Sequence, residues 1–219
     1  MWAATGDPHT AAEVGRRGMV HTLVLRGHEG TRRAYAAYRK ARAEAGLPPV
    51  STDHFAYSAF VHVGDTDEEG LRVGAKLLWF LNTSLKSAPQ YARFLPGTVP
   101  PHFAPQVYRT APGPSAGARD EAARPANAEK PIASASQNAA TLIGMTAEQA
   151  MERGILFVGN PDTVYRQIMD FYDKVGGFGH LVLVGRTGFM THAEAEKGIK
   201  LFSKEVMPRL REIAPVTMG

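Results

Sequence analysis

Residues 54–69 have the sequence HFAYSAFVHVGDTDEE, in which a strand pattern leads directly into the start of a helix. His54–Val63 is apolar on both faces, which predicts a strand that is covered on both sides. Thr66 and Glu69 have the spacing of a capping box, so we expect a helix to begin after Thr66. Residues at helical spacing predict that it continues to about residue 82: Leu71, Ala75, Leu78 and Asn82.

A strand and helix pair is also expected at the start of the chain. Met1–Thr5 has the composition of a strand. Asp7 is a good N-cap and Pro8 suits the first helical position, so a helix is predicted after Asp7. It should run to about Arg17, with Gly18 closing it.

The next pair lies between these two. Val20–Leu25 is a short apolar run that predicts a strand, and Arg26–Gly30 is expected to be a loop. A helix is then predicted from about Thr31 to Ala45, because the glycine and prolines of Gly46–Pro49 stop helices.

The alternation resumes in the last third of the chain. Thr146 and Gln149 form a capping box, and Ile155–Val158 is an extended apolar run. Asn160 and Pro161 mark the start of a helix that Gly176-Gly177 should end. Its apolar face is predicted to consist of Val164, Ile168, Phe171 and Val175.

One more strand and one more helix complete the pattern. His180–Val184 is continuously apolar, which is typical of a buried parallel strand. Thr191 and Glu194 form another capping box. The helix that follows is expected to end near Pro208, with these side chains facing inward: Ile199, Phe202 and Val206. Together the patterns predict an α/β fold with about four parallel strands, each followed by a helix.

Residues 85–145 interrupt this rhythm and are predicted to be a flexible insertion in a single domain over residues 1–219. The part from 111 to 136 is rich in Ala, Pro, Gly and Ser and has almost no large apolar residues. Such a segment buries too little surface to offset its ordering entropy, which predicts a disordered loop. The functional alternative is an active-site lid, because long loops in compact domains are often functional.

The composition excludes several classes of protein. The chain has no cysteine, so disulfides and thiolate chemistry are excluded, and a reducing cytoplasm is the expected compartment. We expect no membrane span, no signal peptide and no metal site. The net charge of +4 comes from dispersed residues rather than a basic stripe, so nucleic acid is not an expected partner. Motifs of serine hydrolases and P-loop NTPases do not occur.

Several stretches, in this order and spacing, resemble the luciferase-like flavin-dependent monooxygenases. The most specific is Phe157–Val164, with the sequence FVGNPDTV, followed by Gly176–Leu181. The terminal stretch Leu201–Leu210 looks like the closing helix of that family. Ala3–Gly18 is similar to the turn that begins the second half of its barrel, and Val63–Glu69 resembles the seventh strand and the helix after it.

The resemblance implies a partial TIM-like (β/α) barrel. The family fold has eight strands, and this chain matches strands five to eight, with its first residue inside strand five. Strands one to four, which carry much of the flavin pocket in the family, have no counterpart in the sequence.

A candidate cofactor site follows from the turn after the first strand. Thr5-Gly6-Asp7 stands at the carboxyl end of a strand and at a helix N-terminus, which is a natural seat for phosphate. The resemblance implies that this turn holds the phosphate of FMN, with Thr10 adding a hydroxyl. The alternative is a plain capped turn with Asp7 as its N-cap. Ala4 could line the flavin ring, whereas Trp2 is equally consistent with core packing or a frayed terminus.

Other residues carry weaker signals. Arg186 follows the last strand, where it could meet an anionic group of the flavin or the substrate, although a solvated arginine is the commoner outcome. His54, His62 and His180 lie on or beside strands. A role in proton transfer is open to them, but histidines that pack in a core are more common. No catalytic residue is assigned.

The resemblance implies an oxidoreductase that uses O2 and reduced FMN to oxidise a small organic substrate. A separate reductase would supply the reduced flavin, and some relatives use a deazaflavin instead. The alternative is a truncated, non-catalytic fragment or interaction module. A half barrel leaves two sheet edges unpaired, so we expect a homo-oligomer or a complementing N-terminal half as partner.

Overall fold

The computed structural model describes residues 1–83, 142 and 144–218. Residues 1–80 and 144–219 form one compact unit, and residues 81–143 are assigned to a second. Apart from residues 142, 144 and 145, the insertion predicted at 85–145, with its 111–136 loop, lies outside the described residues. The single domain over residues 1–219 therefore stays a prediction.

Strands and helices alternate along the described chain. The strands are β1 (Trp2–Ala4), β2 (Val20–Val24), β3 (Val50–Ser51), β4 (Phe55–Val63), β5 (Leu156–Gly159), β6 (His180–Val184) and β7 (Thr217–Met218). The α-helices are α1 (Pro8–Arg16), α2 (Gly27–Glu44), α3 (Asp67–Gly74), α4 (Trp79–Thr83), α5 (Ala147–Glu152), α6 (Pro161–Val175), α7 (His192–Leu201) and α8 (Met207–Arg211). Short 3-10 turns occupy Thr52–His54 and Ala75–Leu78, and a π-helical turn occupies Phe202–Val206.

The main sheet is parallel and is built around β4. β1 pairs with β2, β2 pairs with the first half of β4, and β5 pairs with its second half. β6 also pairs with β4, from Ala56 opposite His180 to Phe60 opposite Val184. β3 and β7 form a separate antiparallel pair. The predicted α/β fold with parallel strands is confirmed.

Helices cover both faces of β4, as its apolar sequence predicted. On one face Tyr57 stacks on Phe171 of α6, with ring centroids 4.2 Å apart. On the other face His62 lies against Gly198 of α7, where an added Cβ would stand 2.4 Å from the histidine Nδ1. All nine residues of β4 are buried, so this strand is the centre of the core.

The prediction that β6 is buried is wrong. Val182 and Leu183 are 41% and 38% exposed. Within the described part of the chain β6 pairs with β4 alone, so it forms one edge of the sheet. The apolar run was correctly identified as a parallel strand, but its burial depends on neighbours that the described residues do not supply.

Two strands at opposite sides of the sheet approach each other. β1 and β6 are separated by β2 and β4, yet the rings of Trp2 and His180 are only 4.8 Å apart. The sheet must therefore curve strongly, with these two side chains on its concave face. Such curvature is what a segment of a (β/α) barrel requires.

The predicted helix starts are confirmed at five caps. The N-cap side chains of Asp7, Thr66, Thr146 and Thr191 each accept a backbone hydrogen bond from the first turn of their helix. Asn160 does the same for α6, and Gly176 ends that helix with a φ of +82°. At Thr66 the reciprocal half differs, because Glu69 accepts from the amide of Asp65 rather than from that of Thr66.

The loop predicted at Arg26–Gly30 is wrong, because α2 begins at Gly27 rather than Thr31. Two donors of its first turn find distant acceptors: the Gly27 amide donates to the Tyr57 hydroxyl and the His28 amide donates to the carbonyl of Arg153. Neither partner is close in sequence, so local capping signals could not have located this start.

Two other helical segments also differ from expectation. The stretch predicted as one helix to Asn82 is α3, a 3-10 turn and α4 in succession. At the C-terminus the helical path continues past Pro208 to Arg211 through a π-helical turn. Phe202 and Val206 are buried as predicted, whereas Ile199 is 56% exposed and its inward assignment is wrong.

Candidate functional site

The turn after β1 is held in place by β2. The Thr5 amide donates to the carbonyl of Thr22 over 3.2 Å. The carbonyl of Thr5 lies 3.1 Å from Nε2 of His21, which is fully buried and stacks on Tyr38. Burial lowers the pKa of His21, although Thr5 and the charge of Asp7 act in the opposite direction. Since His21 is then neutral at pH 7, Nε2 is the nitrogen that donates to Thr5.

Asp7 occupies the N-terminus of α1. Its carboxylate accepts from the amides of His9 and Thr10 over 2.9 and 3.2 Å, and it also accepts from the Thr10 hydroxyl. Partial burial raises the pKa of Asp7, but these hydrogen bonds outweigh it and the pKa is lowered overall. The donors that the sequence suggested for a phosphate are thus engaged by the carboxylate of the protein itself.

Arg26 lies beside this turn and was missed by sequence reasoning. It follows Leu25, whose φ of +50° is rare for a residue with a branched side chain. The guanidinium Cζ is 3.5 Å from the position that a Cβ on Gly6 would take. The only sequence signal is that Arg26 stands at the carboxyl end of a strand, the edge where barrel ligands bind.

An exposed apolar surface lies next to these groups. Strand alternation and register place Trp2, Ala4, Val24 and Val182 on the concave side of the sheet, which we call the open face. Trp2 and Val24 are 51% and 54% exposed, and Ala4 is also exposed. Trp2 is therefore not part of a packed core.

The remaining candidates are dispersed. Arg186 is exposed after β6, and within the described residues no hydrogen bond or ion pair joins it to the Thr5–Asp7 turn. His180 lies 3.0 Å from the carbonyl of Asp53, and His54 is only partly buried. His62 is buried, which lowers its pKa, although Glu69 and Glu194 raise it.

The described residues contain neither a cluster of metal ligands nor a helix that could span a membrane. In residues 1–83 and 144–218 no group of three or more histidines and carboxylates is arranged to hold a metal ion. No helix in the same part of the chain is both long and apolar enough to cross a membrane.

Solved structures of two monooxygenases and one reductase share this fold. The chain is similar to 3,6-diketocamphane monooxygenase from Pseudomonas putida, solved with FMN, at 21% identity and a TM-score of 0.58. It is similar to monooxygenase RslO1 from Streptomyces bottropensis, at 18% and 0.55, and to coenzyme F420-dependent tetrahydromethanopterin reductase from Methanopyrus kandleri, at 15% and 0.53. Each match covers 95% of this chain but only 47%, 47% and 50% of the respective structure.

The chain thus spans about half the length of these proteins, and identities this low show a shared fold alone. No match was found among curated proteins. The family model for luciferase-like monooxygenases matches residues 1–177, which include β1 to β5 and the turn at Thr5–Asp7. This chain therefore belongs to the luciferase-like monooxygenase family.

Proposed function

We propose that this chain contributes part of the flavin site of an FMN-dependent monooxygenase that oxidises a small organic substrate with O2. The observation that carries the proposal is the exposed open face, which ends at the Thr5–Asp7 turn and at the guanidinium of Arg26. A flavin is a flat apolar ring with an anionic tail, and this arrangement offers an apolar surface and a cation in the same order.

The residues present fit such a cofactor in two places. Ala4 has the smallest side chain that can line a ring, and its exposure leaves the open face accessible. The Arg26 guanidinium can neutralise phosphate, whereas the amides of His9 and Thr10 are available only if the Asp7 carboxylate moves away. Bound FMN would supply the oxygen chemistry, and the protein would bind it, orient it and exclude water.

Two further elements of the proposal come from the family. Reduced flavin would come from a separate reductase, and a deazaflavin is the alternative cofactor, since one similar structure is named as F420-dependent. The apolar open face favours an organic substrate that can lie against an apolar surface.

A titration with FMN, followed by flavin fluorescence, tests this function. The wild-type chain is expected to bind FMN saturably. Asp7→Asn is the informative variant, because asparagine keeps the N-cap and removes the negative charge beside the phosphate. It should bind FMN about three- to tenfold more tightly. Failure of the wild-type chain to bind either FMN or a deazaflavin would exclude the proposal.

A second candidate function is an interaction module that needs a partner half. It rests on the exposed side chains at both outer strands: Trp2 on β1, and Val182 and Leu183 on β6. Exposed strand edges with apolar side chains pair readily with other chains. The partner would be a second copy of this chain or a separate chain with the first four barrel strands. The two functions are compatible, because the partner could complete the flavin pocket.

A further inference from the structure

Arg26 has an unusual environment for a partly buried charged residue. Among the residues that the structure describes, no oxygen accepts a hydrogen bond from its guanidinium and no carboxylate pairs with it. Burial and the charge of Arg33 lower the pKa of Arg26, and the charge of Asp7 acts in the opposite direction. The five N–H donors of this partly buried guanidinium are therefore available to an anion that binds beside it.

Two glycines leave room for this side chain beside the turn. A Cβ on Gly30 would stand 2.8 Å from Arg26 Cγ and 3.3 Å from Nε, so the stem lies flat against the first turn of α2. A Cβ on Gly6 would meet the guanidinium at 3.5 Å. We call the space between Gly6 and Gly30 the arginine slot. The guanidinium therefore lies beside Gly6 of the Thr5–Asp7 turn.

The backbone around the slot adds to the positive field. α1 and α2 both begin at the carboxyl ends of neighbouring parallel strands, so their N-termini lie at the same edge of the sheet. The N-terminus of α2 has no side-chain cap, and its macrodipole favours an anion. Leu25, directly before Arg26, has an unfavourable φ of +50°. Strained backbone of this kind is common beside ligand sites.

We propose that Arg26 is the residue by which this chain selects a phosphorylated flavin over an unphosphorylated one. The inference rests on the proposed function, because it assigns the phosphate of that cofactor to the arginine slot. A planar guanidinium binds two phosphate oxygens at once, and a phosphate monoester is the group that distinguishes FMN from riboflavin. Asp7 then remains the N-cap of α1 while the phosphate lies on the side of Arg26.

Parallel titrations with FMN and riboflavin test the assignment. The wild-type chain should bind FMN about ten- to a hundredfold more tightly than riboflavin, as expected for charge-assisted hydrogen bonds. Arg26→Gln should abolish this preference and leave the affinity for riboflavin unchanged. Arg32→Gln is the matched control, because Arg32 is exposed on α2, the helix that Arg26 precedes. This variant should retain the preference for FMN.

Gly30→Ala provides an independent variant that keeps every charge. Alanine favours the helix, so the fold should be retained, but its Cβ displaces the stem of Arg26 from the slot. The preference for FMN should fall by about tenfold without loss of riboflavin binding. Circular dichroism of each variant confirms that the fold is intact.

The outcomes separate this inference from the proposed function. If Arg26→Gln retains the preference for FMN, the assignment is overturned while flavin binding stands. Equal affinity of the wild-type chain for both flavins has the same consequence. If neither flavin binds to the wild-type chain, both proposals are overturned. Binding of inorganic phosphate at Arg26 without competition with FMN would identify a site for another source of phosphate. That result would also overturn the assignment.

Discussion

His21 determines the geometry of the candidate turn although it never reaches the open face. Its ring is buried between β2 and α2, where it stacks on Tyr38 and meets the carbonyl of Thr5. Its other nitrogen, Nδ1, has no hydrogen-bond partner in the described structure. A proton on Nδ1 would therefore be buried without compensation, which explains the lowered pKa.

Stability should consequently fall as the pH is lowered through the histidine range. The unfolded chain protonates His21 near pH 6.5, whereas the folded chain does so only at lower pH, so below pH 6.5 the unfolded state binds more protons. The free energy of unfolding should decrease by up to about 1.4 kcal/mol per pH unit for His21, and His62 should act in the same direction.

Urea denaturation between pH 5 and 7 measures this effect. His21→Asn should reduce the slope by up to one proton, because it removes the buried ring whose pKa is lowered. A wild-type stability that is independent of pH over this range would contradict the assignment of a neutral, buried His21.

Among the elements, α3 shows how closely the backbone segments pack. Gly70 lies against the turn after β5, where an added Cβ would stand 2.5 Å from both Cα and O of Gly159. The same turn is tied down by two further hydrogen bonds, from the Gly64 amide to the Gly159 carbonyl and from the Asn160 amide to Asp67. The approach depends on the absence of a side chain at Gly70.

Gly70→Ala should therefore destabilise the fold even though alanine is the better helix former. The gain in helix propensity is about 1 kcal/mol, but overpacking against backbone atoms costs about 1–3 kcal/mol because those atoms cannot rotate away. Gly30→Ala is the matched control, since only the flexible stem of Arg26 opposes it. The midpoint of urea unfolding compares them, and equal midpoints would show that α3 can shift.

The caps and the boundaries of the helices were not equally predictable. Thr146 and Thr191 each bond to residues three positions along, so the sequence carries the whole interaction. The start of α2 was misplaced by four residues because its first amides use Tyr57 and Arg153, far away in the chain. Arg26 was overlooked for the same reason: its slot is formed by Gly6 and Gly30, on two different segments.

At the scale of the whole molecule, the sheet is curved and leaves apolar side chains exposed on β1 and β6. The contact of Trp2 with His180 joins the two outermost strands on the concave side, and Val24 and Val182 are exposed on the same open face. A monomer with such a surface gains from covering it. The chain also spans about half the length of the similar structures.

Self-association that depends on concentration is therefore expected. Val182→Lys, which places a charge on the open face, should weaken it by about tenfold or more. Val216→Lys is the control, because this residue is 56% exposed and lies outside the main sheet. Sedimentation equilibrium at several concentrations measures the effect. A strictly monomeric wild-type chain, or equal weakening by both variants, would count against the open face as an interface.

The sequence by itself determined the class of fold, the family, most helix starts and the coverage of β4 on both faces. These features depend on hydrophobic periodicity and on contacts within a few residues, which the order of the amino acids contains directly. The tertiary structure alone decided that His54–Val63 and His180–Val184, both apolar, differ in burial, since exposure depends on the neighbours of a strand. It alone brought Arg26 beside Gly6 and Asp7, because side chains on different strands meet only when the sheet forms and curves.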